Sequence, residues 1–242
     1  MQIVTKLCFD WLAEDYANAF LIEPHQHDAH QIVHAVSGIM RVSTDDGVWI
    51  VPPGRALWMP EARVHAIKCI GPVEMRTVYI HGIHAAFPDR CAAWSVTPLM
   101  REIIVRMSNG AGSGMLEHLS ALLLDEIDAR DVTRLRLPQP KDQRLARICD
   151  ALIADSTRGP TLGEWAKRIG MSERSLIAHF KAETGLTFRE WRRQARMLRG
   201  LELLSQGLDV TSTAFEVGYA STSAFVEAFR LTFGTTPSRH FT

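Results

Sequence analysis

The 242-residue chain carries 27 Lys plus Arg against 27 Asp plus Glu, and 46% of its residues are hydrophobic. That balance excludes a highly charged disordered chain, and the length suits two ordinary domains, each able to bury a core. No apolar run approaches the roughly 20 residues that cross a bilayer, so no membrane partner is expected.

The neutral total conceals a split. Residues 1–140 hold 12 Lys plus Arg against 16 Asp plus Glu, whereas residues 141–242 hold 15 against 11. A basic excess in the second part suits a surface that meets phosphates. The four cysteines, Cys8, Cys69, Cys91 and Cys149, show no C-x-x-C spacing and no disulfide framework, as in a reducing compartment. The first twenty residues, MQIVTKLCFDWLAEDYANAF, are interrupted by acids where a signal peptide needs an apolar stretch. A cytoplasmic protein is expected.

From about Gln31 to Ile83 short β-type runs alternate with turn residues: QIVHAVSG, IMRVST, VWIVPPG, RALWMP, VHAIKCI and VEMRTVYIHG. Ser37–Gly38, Asp45–Asp46–Gly47 and Pro52–Pro53–Gly54 separate them, and Asp46–Gly47 is a hairpin signal. Strands at this spacing predict a small barrel or sandwich. Just before them stands PHQHDAHQIVHAVSG. On a strand, His25 and His27 would share a face with Cα atoms about 6.6 Å apart, so that both rings reach one ion. Gln31 has the same parity, while His30 and His34 point away. His81 and His84 are expected at strand ends or on the surface. Trp49, Trp58, Met75 and Tyr79 are expected in the core or a pocket wall.

The segment resembles the first motif of the cupin superfamily, with His25, His27, Gln31 and Gly38 at its positions. Pro60, Ala62 and His65 match the second motif, Ala62 standing where glycine is usual. The resemblance implies a divalent metal on His25, His27 and His65, with Gln31 in place of the usual glutamate. Imidazoles completed by water or an amide oxygen suit Zn²⁺, Fe²⁺, Ni²⁺ or Mn²⁺. Losing the glutamate charge weakens the site for a hard cation. An organic effector in a histidine-lined pocket without metal is the other reading.

Leu99, Ile103 and Ile104, then Leu116, Leu119, Leu122, Leu123 and Ile127, recur at helical spacing, broken at Asn109–Gly110–Ala111–Gly112. These two helices either cover the sheet or pair two subunits. DVTRLRLPQPKD, with two prolines, is expected to be a linker.

The last hundred residues repeat. LGEWAKRIGMSERSLIAHFKAETGLTF from Leu162 is echoed by VTSTAFEVGYASTSAFVEAFRLTFGTTP from Val210. Ala166, Gly170, Ser172, Leu176, Phe180, Lys181, Gly185 and Thr187 correspond to Ala214, Gly218, Ser221, Phe225, Phe229, Arg230, Gly234 and Thr236. Thr161 and Glu164 form a capping box, Asp209 caps the second copy, and Gly170 and Gly218 stand where a helix must stop and reverse. Ser172 and Ser221 then cap the second helix of each copy. Each copy therefore reads as helix, tight turn, helix. Leu176 and Phe180 pack inward and leave Arg174, Ile177, Ala178 and Lys181 to meet a major groove.

Two such units, joined by a helix containing Arg196 and the run Leu201–Leu204 and ending in GTTPSRH, resemble the DNA-binding domain of the AraC/XylS family of transcription regulators. His240 and Phe241 depart from the aromatic–arginine pair usual after the TPS. The resemblance implies an α+β multidomain protein: a cupin-like sensor barrel (1–97), a two-helix dimerisation segment (98–130), a linker (131–142) and an all-α double helix-turn-helix domain (143–242). It implies double-stranded promoter DNA, an effector in the barrel, a homodimer, and RNA polymerase as a candidate partner. Arg174, Ile177 and Ala178 are candidates for base contact in the first unit, and Thr222, Ser223, Val226 and Glu227 in the second. Lys181 and Arg230 are candidate phosphate clamps. The rival reading is a metal-dependent cupin enzyme, a dioxygenase or isomerase, with an accessory helical domain. Against it, no second acid–base partner stands beside His25, His27 and His65.

Overall fold

The computed structural model describes residues 7–82, 87–128, 132–133, 136–154, 160–233 and 236–240. His84, Gly234 and Phe241 lie outside them. The chain divides into two compact units, Met1–Arg136 and Leu137–Thr242.

The first unit is an antiparallel sheet. Its strands are β1 (Cys8–Tyr16), β2 (Leu21–His25), β3 (His30–Thr44), β4 (Gly47–Val51), β5 (Arg55–Met59), β6 (His65–His81) and β7 (Ala92–Ser95), with the short β8 (Val132–Thr133) on β7. The long strands β3 and β6 pair along their length, from His30↔Ile80 to Thr44↔His65, and each serves two further neighbours. The first half of β3 pairs with β5 and the second with β4, while β6 gives its first half to β2 and its second to β1. Two half-sheets thus share β3 and β6.

Ser37–Gly38, read from sequence as a turn, is instead an irregularity within β3, where the pairing register shifts. Likewise VHAIKCI and VEMRTVYIHG are one strand, β6. A β-bulge bends a strand without ending it, and glycine alone fits here. Gly38 has φ +76°, and a Cβ on it would lie 2.1 Å from the Pro72 carbonyl oxygen.

Helices α1 (Pro98–Ser108) and α2 (Ser113–Asp128) cover one face of the sheet. Met100, Ile103, Ile104 and Met107 of α1, with Leu123 and Ile127 of α2, form one buried cluster with Ile32, Trp58, Val78, Ile80 and Trp94. Burying each such side chain is worth about 1.5–3 kcal/mol, so this face holds the unit together. The stretch expected as a linker over 131–142 is partly strand: β8 precedes a short β9 (Arg136–Pro138). Val132 and Thr133 are β-branched, and the prolines that would break a strand come only at Pro138 and Pro140.

The second unit is helical: α3 (Gln143–Ala154), α4 (Leu162–Arg168), α5 (Glu173–Thr184), α6 (Phe188–Ser205), α7 (Val210–Glu216), α8 (Thr222–Phe233) and α9 (Pro237–His240). Capping boxes at Thr161/Glu164 and Thr187/Glu190 start α4 and α6, and Asp209 accepts from the Thr211 and Ser212 amides to start α7. Gly170 (φ +68°) and Gly218 (φ +80°) make the two reversals. Trp191 of α6 donates its indole N–H to the Pro138 carbonyl at 2.7 Å, tying down the entry to the unit.

Candidate functional site

Three imidazoles converge at the junction of β2 and β6. His25 and His65 are register partners across these strands, with ring centroids 4.3 Å apart. His27 lies 4.9 Å from His25 and 5.4 Å from His65, centroid to centroid. The strand argument for His27 fails, because β2 ends at His25. A different device places it: the Ala62 amide donates to the His27 carbonyl at 2.8 Å, fastening its loop to the β5–β6 turn. Ala62 adopts φ +59°, which explains why glycine suits this position.

The tautomers follow from the hydrogen bonds. His25 Nδ1 stands 2.8 Å from the Glu23 carbonyl and His65 Nδ1 stands 2.9 Å from that of Arg63. A carbonyl only accepts, so both Nδ1 atoms carry the proton and both Nε2 atoms keep a lone pair. Backbone orientation of this kind is what metal-ligating histidines use. The Nε2 atoms of His27 and His65 are buried with no hydrogen-bond partner among the described residues. One nitrogen from each of the three rings lies within 4.8 Å of the other two. Nitrogens around a tetrahedral zinc are about 3.4 Å apart, so small ring rotations would close the set. Burial pushes His65 down to about 4 and lowers His27, with neighbouring imidazoles adding to both shifts. Neutral imidazoles near pH 7 are the form that ligates.

Gln31 reaches the triad through Tyr79. Its amide Nε2 donates to the Tyr79 hydroxyl at 3.4 Å, and the Tyr79 ring packs edge-on against His27 at 4.9 Å. Gln31 Oε1 is buried and has no hydrogen-bond partner among the described residues. Tyr79 thus connects Gln31 to the histidines, a role the alternating pattern of β6 could not single out. His30 and His34 do turn away: His30 stacks on Trp58, and His34 Nδ1 donates to the Arg55 carbonyl. His81 pairs with Asp10.

In the second unit, Leu176 and Phe180 of α5, and Phe225 and Phe229 of α8, are fully buried. Arg174, Ile177, Ala178 and Lys181 are exposed on α5, with Ile177 46% accessible although apolar. On α8, Ser223, Glu227 and Arg230 are exposed, while Thr222 and Val226 are half-buried. Glu227 and Arg230 pair with each other at 2.8 Å. Each therefore partly satisfies the other, which weakens Glu227 as a base reader and Arg230 as a clamp. The Thr222 hydroxyl donates to Thr211 Oγ1 at 3.4 Å, a weak bond.

Comparison with known proteins agrees with both units. Residues 11–127 match the model for the AraC-like ligand binding domain, and residues 165–242 match a helix-turn-helix domain. The HTH-type transcriptional regulator NimR of Escherichia coli is 30% identical over 220 residues, covering 89% of this chain and 81% of that protein. The chain belongs to the AraC family of transcription regulators. It is a DNA-binding regulator with a ligand-binding domain, and the enzyme reading falls because the relatives are named as regulators. The HTH-type transcriptional activator RhaS of Escherichia fergusonii is 23% identical over 236 residues, 88% of this chain and 85% of that one. Among solved structures, ToxT from Vibrio cholerae aligns over 96% of each chain at 12% identity, with a TM-score of 0.42. No helix of the described residues is long and apolar enough to cross a membrane.

Proposed function

We propose that this AraC-family chain is a one-component regulator whose cupin-like unit holds a divalent metal on His25, His27 and His65. The orphaned, buried Nε2 atoms of His27 and His65, aimed into one cluster, are the observation that carries this reading. Zn²⁺, Fe²⁺, Ni²⁺ or Mn²⁺ fits a neutral nitrogen set, and the orphaned Oε1 of Gln31 is the amide oxygen available to complete it. His25 of β2, His65 of β6 and His27 of the loop after β2 would hold the ion, which would supply a Lewis-acid centre for an oxygen or nitrogen of a small effector. An effector acts only if it binds one arrangement of the two units better than the other.

Arg174, Ile177 and Ala178 read bases from α5, Arg174 being suited to guanine O6 and N7, a contact worth about 1–3 kcal/mol of discrimination. Thr222, Ser223 and Val226 contribute less from α8, Glu227 being occupied by Arg230. Lys181 positions the phosphate backbone. Two copies pair through Met115 and Leu122, at i and i+7 on α2, with Leu99 of α1. Met115, Leu122 and Leu99 are 48%, 43% and 50% exposed, more than an unpartnered helix face needs to be. RNA polymerase is the candidate partner at the promoter, in the cytoplasm.

Metal analysis of the purified chain, with and without chelator, tests the sensor. One equivalent of metal in the native chain, falling at least about a hundredfold in affinity in His65→Ala, is expected. Metal absent from the native chain after growth in supplemented medium would leave the cluster as a plain pocket wall. Footprinting of upstream DNA with and without chelator then tests whether the ion matters to DNA binding.

A further inference from the structure

Gln31 is 2% exposed, and its Oε1 is buried with no hydrogen-bond partner among the described residues. Its two cross-strand neighbours explain why. On β6, Tyr79 stands directly opposite, and its hydroxyl accepts the Gln31 Nε2–H at 3.4 Å. On β5, Met59 stands directly opposite, and its thioether has no proton to give; it accepts the Cys91 thiol at 3.5 Å. One neighbour takes the N–H and the other cannot donate, so the oxygen is left over. A buried acceptor without a partner is costly and calls for a reason.

The orientation of the amide matters because its two ends offer a cation opposite things. The oxygen presents lone pairs, whereas the NH₂ group presents two protons and cannot ligate. The shape of the side chain is nearly the same either way, so packing alone does not choose between them. A hydrogen-bond partner does. Tyr79 is well placed for this, because β6 is paired on both sides of it, to Asp10 of β1 and to Gln31 of β3. Its ring also packs edge-on against His27, with centroids 4.9 Å apart. One side chain on a doubly paired strand therefore contacts both the amide and the histidine triad.

We propose that Tyr79 is a positioning residue for the metal site: by accepting the Gln31 N–H, it holds the amide with Oε1 free as the oxygen donor that joins His25, His27 and His65. The inference rests on the metal reading given above. Tyr79 acts through Gln31, in the way that outer partners of metal ligands fix ligand orientation.

Co²⁺ titration of the full chain tests it, with affinity and donor set read from the visible absorption of the bound ion. Tyr79→Phe keeps the ring beside His27 and loses only the hydroxyl. It should bind Co²⁺ about tenfold to a hundredfold more weakly than the native chain, with a changed absorption spectrum. Gln31→Met, of similar volume, should show the same loss and the same spectrum. In the Gln31→Met background, Tyr79→Phe should then cost nothing further. Losses that add in the double variant would show that the hydroxyl acts on the histidines or on packing, and would overturn the proposal. Native affinity in Tyr79→Phe overturns it as well, as does tighter binding, the result expected if the hydroxyl donated to Oε1 and kept it from the ion. All three of these outcomes leave the histidine site standing. Thermal melts without metal check folding. If Gln31→Met does not fold, Gln31→Glu takes its place: its two oxygens are equivalent, so Tyr79→Phe should again cost nothing there. No Co²⁺ bound by the native chain would overturn the proposal together with the metal reading on which it rests.

Discussion

Ala62 holds a left-handed backbone (φ +59°) at an exposed turn, where an alanine pays a steric penalty that glycine does not. Ala62→Gly is therefore expected to raise stability by up to about 1 kcal/mol, against a smaller entropic loss. A higher melting temperature with His27 still in place would show it, and an unchanged or lower one would contradict it. His34 offers a second residue-scale check. It is wholly buried beside Ile32, its Nδ1 donating to Arg55, and burial keeps its pKa below 6.5. In the unfolded chain the ring protonates near 6.5, so the unfolded state binds the extra proton as pH falls. Stability is intact above that value and declines below it, at no more than about 1.4 kcal/mol per pH unit from this group. His34→Asn keeps a donor for the Arg55 carbonyl, and should flatten the fall in melting temperature between neutral and mildly acid pH. An identical slope would place the acid sensitivity elsewhere. The histidine cluster was legible at this scale, but for a partly mistaken reason. Period-two spacing pairs His25 with His27 on a strand, whereas His27 is held by its loop and His65 comes from another strand altogether. Tyr79 could not be found from local pattern, since only cross-sheet packing brings it to His27.

Helices of the second unit were more readable than the strands of the first, because caps and turns are local. Thr161, Asp209, Gly170, Ser172 and Gly218 do in the structure what their residue types require. Strand ends depend on partners far away in sequence. Gly38 therefore looked like a turn but forms a bulge, and the supposed linker holds β8. Gly200, inside α6, shows how packing overrides propensity. Alanine there would gain about 1 kcal/mol as a helix former. Its Cβ would, however, sit 2.9 Å from Cε2 of Phe225, a ring that is fully buried and cannot yield. Overpacking of this kind costs about 1–3 kcal/mol, so Gly200→Ala is expected to lower stability on balance. A denaturant midpoint below that of the native chain is the predicted result, and a midpoint above it would show that the α6–α8 contact is looser than described. By contrast, Thr161→Ala simply removes one cap and should cost about 1 kcal/mol.

Over the whole molecule, the charge split separates a sensor from a DNA-binding unit, and both domain matches follow that division. Neither composition nor periodicity reveals what enters the histidine cluster, because a ligand site is defined by side chains gathered from strands that sequence order keeps apart. The amphipathic helices α1 and α2 were open to two readings, and the structure shows Leu123 and Ile127, with Leu116, Leu119 and Leu124 beside them, spent on covering the sheet. Only the remaining apolar residues are available for pairing copies. If they pair them, Leu122→Glu should shift sedimentation toward monomer without lowering the melting temperature appreciably. A native sedimentation profile would remove α2 from the interface. The central claim is that α5 and α8 read one duplex together. Footprinting on operator DNA selected from a random pool tests it most directly. Two protected major-groove segments about one helical turn apart are predicted, with Arg174→Ala losing the one read by α5 and keeping the other. A single protected segment, or a footprint that Arg174→Ala leaves unchanged, would contradict it.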